Sequence, residues 1–391
     1  MRCCSGKLLF ALMLAVATSG ASIAQDSTVS SGVGPELSYL GPMTFGPDGV
    51  LLAADSEDVF IYALDLSGHL GGGEPGAADI EAVDEKIAAV LGTDAASVMV
   101  TDLAVYPETR NAFISVMRGK GAGATPVLLR VDGAGEIEVV PLEDVAYSRV
   151  RLPNPPGEVT ELPLQGGREL PIPNYPSNQA TEFPLALFGV QTITDLAYRD
   201  GRVYVAGLSN EEFASKLRSI AYPFTSVDQG TSVEIWHAPH DQFETRSPVY
   251  TFVPYDIGDE PHLIASYLCT PLVKFPVSSL EPGKEVRGVT IAEFGNGNRP
   301  LDMIVYEKDG QDFLLMSNNR RGVMKIPTAG FGDADPLTEV VPDGETAGVP
   351  FETIAALEGV EQLDLLDDGH ALVIARQSEQ GPLNLGAVAL P

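Results

Sequence analysis

Apolar residues along the chain fall into short runs separated by tight polar turns, and the same grouping returns several times. Met43-Thr44-Phe45 and Val50-Leu51-Leu52-Ala53-Ala54 flank a turn at Asp48-Gly49. Thr194 to Tyr198 and Arg202 to Ala206 flank Asp200-Gly201. Leu301 to Met316 turns at Asp309-Gly310, Gln362 to Ala375 turns at Asp368-Gly369, and Thr101 to Val116 places Asn111 in the turn. Asp-Gly between two alternating runs is a strong hairpin signal, because Gly tolerates the positive φ that tight hairpins require.

A third run follows each hairpin: Phe60 to Leu64, Val127 to Val131, Lys216 to Ile220 and Val323 to Pro327. A fourth is legible at Glu136 to Val140 and at Ser232 to Trp236. The stretch 248–293 supplies a further unit with a degraded first turn, its second and third strands at His262 to Tyr267 and Pro271 to Phe275. Recurring antiparallel units that cannot bury both faces alone predict an all-β fold, a β-propeller of six blades with seven as the alternative. The last unit ends near Leu390 after three strands, so the segment Val29 to Leu37 is expected to supply its fourth and close the ring.

Six blades leave roughly 61 residues each, more than the roughly 40–50 of compact propeller repeats. The surplus forms three inserts. Residues 66–98 carry a Gly-rich stretch and then a predicted helix, Ala78 to Leu91, with Ile80, Val83, Ile87, Ala88 and Leu91 on one face. Residues 142–190 are proline-rich and read as an ordered excursion or a lid, and 208–231 lengthens a link in the middle blade. In the usual strand direction the last two are expected at one mouth of the axial channel.

Phe45-Gly46-Pro47-Asp48-Gly49-Val50-Leu51-Leu52-Ala53-Ala54-Asp55, and Asp195-Leu196-Ala197 followed by Asp200-Gly201-Arg202-Val203-Tyr204-Val205-Ala206, resemble NHL-type repeats. They are similar also to the blades of the superfamily that holds regucalcin-like gluconolactonases and strictosidine-synthase-like proteins. The resemblance is specific over 10–12 residues per blade. It implies a six-bladed propeller and either a calcium-dependent lactonase, with Glu, Asn and Asp ligands at the channel mouth, or a plain binding scaffold.

The first 24 residues have a different character. Arg2 and Lys7 precede nine apolar residues, Leu8 to Val16, and Ala21-Ser22-Ile23-Ala24 fits a small-x-small cleavage site. This is the pattern of a secretory signal, so residues 25–391 are expected to be a single propeller domain, exported and soluble, periplasmic where the cell has that compartment. The 391 residues carry 24 Lys+Arg against 54 Asp+Glu, a formal charge of −30. Such acidity argues against nucleic acid and anionic membranes as partners. Cys3 and Cys4 leave with the signal. Cys269 then has no internal disulfide partner.

Asp102, Asp195 and Asp302 occupy the same place at the start of three first strands, each before Leu or Met. Converging on the axis they form a candidate cation site, with Ca²⁺ suited to an all-oxygen donor set, or else bind backbone N–H groups of their own or the adjacent blade. The ends of the second strands lead to the same mouth and offer Asp55, Arg118, Asn210, Cys269, Asn318, Asn319, Arg320 and Arg376. They make a candidate pocket for a small anionic or hydroxylated ligand. His237 and His240 sit close together in Trp236-His237-Ala238-Pro239-His240-Asp241, and with Cys269 are candidate ligands of Zn²⁺ or Cu²⁺. No nucleophile elbow, zincin helix, Cys-x-x-Cys or phosphate loop is present in the sequence. The reading is a non-catalytic exported propeller binding a small molecule or protein partner at the channel mouth. A cation-dependent lactonase or esterase is the alternative, and a redox-accessory metal-binding protein is third.

Overall fold

The recurrent hairpins build six antiparallel sheets. The computed structural model of the protein describes residues 29–71, 73–155, 192–268, 270–378 and 380–391. Residues 1–28, which hold the expected signal, and the greater part of the 142–190 insert lie outside the described residues, as does Cys269. In three of the Asp-Gly turns both residues take positive φ: 55° and 78° at Asp48-Gly49, 50° and 75° at Asp200-Gly201, 55° and 74° at Asp309-Gly310. That left-handed pair matches the right-handed twist of the strands it joins.

Blade 1 holds Met43–Phe45, Val50–Asp55 and Phe60–Asp65; blade 2 holds Val98–Val105, Ala112–Arg118, Thr125–Val131 and Ile137–Val139. Blade 3 runs from Asp195–Arg199 through Arg202–Leu208 and Ser215–Ala221 to Thr231–His237 and Gln242–Glu244. Blade 4 is built from Val249–Ile257, Glu260–Tyr267, Pro271–Pro276 and Val289–Glu293, and blade 5 from Pro300–Lys308, Gln311–Asn318, Gly322–Pro327 and Glu352–Ile354. Blade 6 has three strands, Val360–Asp367, His370–Arg376 and Leu383–Ala389.

The six blades close into the propeller expected from the repeats, but the ring does not follow chain order. Blade 1 stands between blades 2 and 3. One buried cluster joins Leu51, Tyr62 and Leu64 of blade 1 to Phe113 and Leu128 of blade 2. A second joins Leu52 and Ile61 of blade 1 to Leu196 and Val205 of blade 3. Blade 6 packs on blade 2 through Leu372, Ile374, Leu103 and Ile114. The remaining clusters pair blade 3 with 4, 4 with 5 and 5 with 6. Around the axis the order is therefore 3, 4, 5, 6, 2, 1.

This order follows from where the two inserts go. The 66–98 linker crosses to the far edge of blade 6. Ile80 N–H donates to Leu385 O at 2.7 Å and Leu385 N–H to Ile80 O at 3.0 Å, a single antiparallel bridge. Asp79 accepts the N–H of Ala387, Asn384 Oδ1 that of Ala82, and Asp84 that of Leu383. The helix is shorter than its periodicity predicts, Val83–Leu91, because Ala82 takes a left-handed φ of 50° and Ile80 is held in the bridge. Val83, Ile87 and Leu91 fill the groove between blades 2 and 6. The three-stranded blade is thus covered by the linker from blade 1 and not by the N-terminus.

The chain then returns from blade 2 to blade 1. Ala146–Arg151, inside the 142–190 insert, pairs with Phe60–Asp65 as the fourth strand, and Val29–Val33 pairs outside it. The N-terminal strand, expected on the last blade, is a fifth strand at the rim of the first. Likewise the 208–231 insert contains Ser215–Ala221, the third strand of blade 3, so the link it lengthens spans only 209–214.

Candidate functional site

The innermost strands start at one end of the axis, and the ends of the second strands lie beside them: Asp195 pairs with Ala206 and Pro300 with Asn318. The starts enclose a cavity of about 50 Å³ whose lining includes Pro42, Asp102, Asp195, Thr251, Asp302 and Gln362. These six residues are one per blade at equivalent positions. Taken around the ring they read Asp195, Thr251, Asp302, Gln362, Asp102, Pro42, so carboxylates occupy every second blade.

Each carboxylate reaches the blade that lacks one. Asp195 Oδ2 accepts the N–H of Phe252 at 2.8 Å, Asp302 Oδ2 that of Leu363 at 2.8 Å, and Asp102 Oδ2 that of Met43 at 2.6 Å. The other oxygen of Asp195 and of Asp302 accepts the next N–H in its own strand, from Leu196 at 2.7 Å and Met303 at 2.8 Å. One layer deeper, Asp364 does the same between blades 6 and 2, accepting Val105 N–H and Leu365 N–H, each at 2.7 Å. The carboxylates act as latches across blade interfaces.

Enclosure by protein is the main influence on their protonation. Burial pushes Asp195 up to about 7 and Asp364 up to about 6. Asp102 and Asp302 are raised well above the usual carboxylate range by burial, with the charges of the neighbouring carboxylates adding to it and the backbone donors opposing it. Near neutral pH the cavity therefore carries fewer negative charges than its composition suggests.

The second-strand ends do not gather into one pocket. Asp55 is fully buried and accepts backbone N–H groups of Ser38, Tyr39, Glu57 and Asp58, anchoring the segment before the first inner strand. Burial raises it to about 6. Asn318 is buried; its Oδ1 accepts the N–H groups of Arg320 and Arg321 and its Nδ2 donates to Asn298 Oδ1. Asn319 Oδ1 accepts Arg299 N–H at 2.7 Å. Arg376 pairs with Glu361 at 2.9 Å and donates to the Gly381 carbonyl. Arg118, Asn210, Asn319 and Arg320 are exposed at this end.

His237 and His240 meet a partner that spacing did not indicate. Glu244 lies in the strand paired with that of His237, where Ile235 faces Glu244 and His237 faces Gln242. Its side chain is a diagonal neighbour of His237 on the same sheet face. Burial alone would raise Glu244, but the imidazoles of His237 and His240 beside it outweigh it and hold the group at about 2. Glu293, fully buried with neither oxygen hydrogen-bonded, was also not indicated; burial and then the charge of Glu244 push it up to about 8.

Fold and site together define a six-bladed β-propeller with a small polar axial cavity. No protein-family model matches the sequence, and no curated protein matches it. Among solved structures the chain is similar to the PQQ-bound form of aldose sugar dehydrogenase from Streptomyces coelicolor, at 10% identity and a TM-score of 0.32, over 93% of this chain and 99% of that one. A likeness of that size carries nothing about activity. Among the described residues no helix is long and apolar enough to cross a membrane.

Proposed function

We propose that the protein is an exported, non-catalytic β-propeller that binds a small molecule or a protein partner across the end of the axis where the innermost strands begin. Export rests on the signal pattern of residues 1–24. The observation that supports the binding role best is the engagement of the axial carboxylates. They hold backbone N–H groups around a cavity of about 50 Å³, whereas pockets that enclose organic ligands run to roughly 300–1,000 Å³. A substrate has little room there, and binding falls to the surrounding loops. Arg118, Asn210, Asn319 and Arg320 suit anionic or hydroxylated groups.

A calcium-dependent lactonase is the second reading, from the resemblance to NHL and regucalcin-like blades. It is favoured by three carboxylates, Asp102, Asp195 and Asp302, lining one cavity with Thr251 and Gln362. These oxygen donors suit a hard cation, and each anchored carboxylate oxygen retains a second lone pair. The cation would supply charge relief and Lewis acidity at the opening.

The mature protein, freed of metal, should hydrolyse no member of a lactone and ester panel faster with added Ca²⁺ than without it, and its melting temperature should be the same in both. A ligand at one hundred times its Kd stabilises by about 2.7 kcal/mol, a readily visible shift. Calcium-dependent hydrolysis that Asp195→Asn abolishes would overturn the binding role and establish the hydrolase.

A further inference from the structure

Far from the axis, the last hairpin of blade 3 joins Thr231–His237 to Gln242–Glu244 through a 3₁₀ turn, Ala238–His240. The turn folds His240 back over His237, with ring centroids 4.1 Å apart. Both rings address one carboxylate: His237 Nδ1 is 2.8 Å from Glu244 Oε2, and His240 Nδ1 is 2.6 Å from Glu244 Oε1. The donor atoms of the three residues all lie within 4.8 Å of one another.

The His240 contact is an ordinary hydrogen bond. The His237 contact is not: its Nδ1 is close to the carboxylate but out of line for N–H···O, and Nε2 has no partner either. An imidazole 1% exposed with neither nitrogen hydrogen-bonded is an unusual cost for a folded protein to carry. A coordinate bond from Nδ1 to an ion shared with Glu244 would give one of the two nitrogens a partner.

We propose that His237, His240 and Glu244 form a binding site for a divalent metal ion of the zinc or copper class. Two imidazole nitrogens and one carboxylate oxygen are the donors such ions take, and they differ from the all-oxygen shell of calcium. The side chain of His240 is 44% exposed and that of Glu244 11%. The ion thus has an entry path and keeps an open side for water, as three-ligand zinc sites do. At zinc–ligand distances of about 2.0–2.1 Å, tetrahedral donors stand about 3.3 Å apart. Binding therefore requires the carboxylate and the two rings to open by roughly half an ångström, a movement confined to one hairpin. The site is separate from the axial opening.

The test is calorimetric titration of the mature protein, purified without a polyhistidine tag, with ZnCl₂, and with CaCl₂ as the control. One Zn²⁺ should bind per chain, and Ca²⁺ should not compete. His240→Ala should weaken zinc binding by more than about 100-fold, beyond the 10–100-fold typical of changes to groups that only support a ligand. Glu244→Gln should weaken it by at least about 10-fold, and Asp195→Asn should leave it unchanged. His240 is exposed, so its variant is expected to melt like the parent and the loss to report on the site. Zinc affinity no better than millimolar in the parent, or parental affinity in both His240→Ala and Glu244→Gln, would overturn the assignment.

Discussion

At pH 5 the Asp195→Ala variant is expected to be about 2–6 kcal/mol less stable than the parent, because two buried N–H groups lose their acceptor at about 1–3 kcal/mol each. Those donors belong to Leu196 in the same strand and Phe252 in the neighbouring blade. At pH 8 the deficit should be smaller by up to about 3 kcal/mol, and the sign follows from the protonation of the group. Asp195 titrates at about 7 in the fold against an ordinary 3.8, so the folded state holds its proton more tightly. That contribution is fully present below about 3.8 and is lost as pH rises through about 7, a difference of at most about 4 kcal/mol. The alanine variant has no such proton to lose. Urea unfolding of both proteins at pH 5 and pH 8 checks this; equal deficits at the two values would show that the carboxyl is not perturbed by its enclosure.

Ring closure supplies the second large effect. Ile80→Ala should cost about 2–5 kcal/mol, the usual range for truncating a buried large aliphatic side chain. Ile80 is 3% exposed and belongs both to the bridge onto blade 6 and to the cluster that joins blades 2 and 6. Deleting residues 25–33 should cost less, because Val29–Val33 is an outermost strand with its last three residues exposed. The same unfolding titrations rank the two. A greater loss from the N-terminal deletion would mean that the N-terminus, not the linker, completes the ring.

The blade architecture was legible because it is written in local signals. Asp48-Gly49, Asp200-Gly201 and Asp309-Gly310 force tight turns, and alternating apolar runs around them fix which faces are buried. Blade order was not legible. Nothing local in Ala77 to Ala82 says that this stretch will pair with Leu385, which lies some three hundred residues away. The strand Ala146–Arg151 was hidden because a proline-rich run follows it and its partner strand lies in a blade already passed.

The candidate site divides in the same way. The shared position of Asp102, Asp195 and Asp302 could be read directly, since each precedes Leu or Met in the first strand of its hairpin. Their acceptance of Met43, Phe252 and Leu363 N–H groups depends on ring order and could not be read. Asn318 and Arg376 were drawn into the candidate pocket because Asn and Arg at strand ends serve turns and ligands equally well. Here Asn318 caps the turn at Arg320 and Arg321, and Arg376 is tied to Glu361. Glu244 escaped notice because its closeness to His237 is diagonal across two strands, a relation that chain spacing does not encode.

The decisive measurement is a pair of pulsed-dipolar distances between spin labels in a Cys269→Ser background. One pair sits on Val139 of blade 2 and Ala389 of blade 6, the other on Val139 and Gln242 of blade 3, all exposed positions. With blade 1 between blades 2 and 3, the Val139–Ala389 distance should be clearly the shorter. If Val139 lies nearer to Gln242, the blades follow one another in chain order, and the carboxylate latch of Asp364 from blade 6 to blade 2 cannot exist.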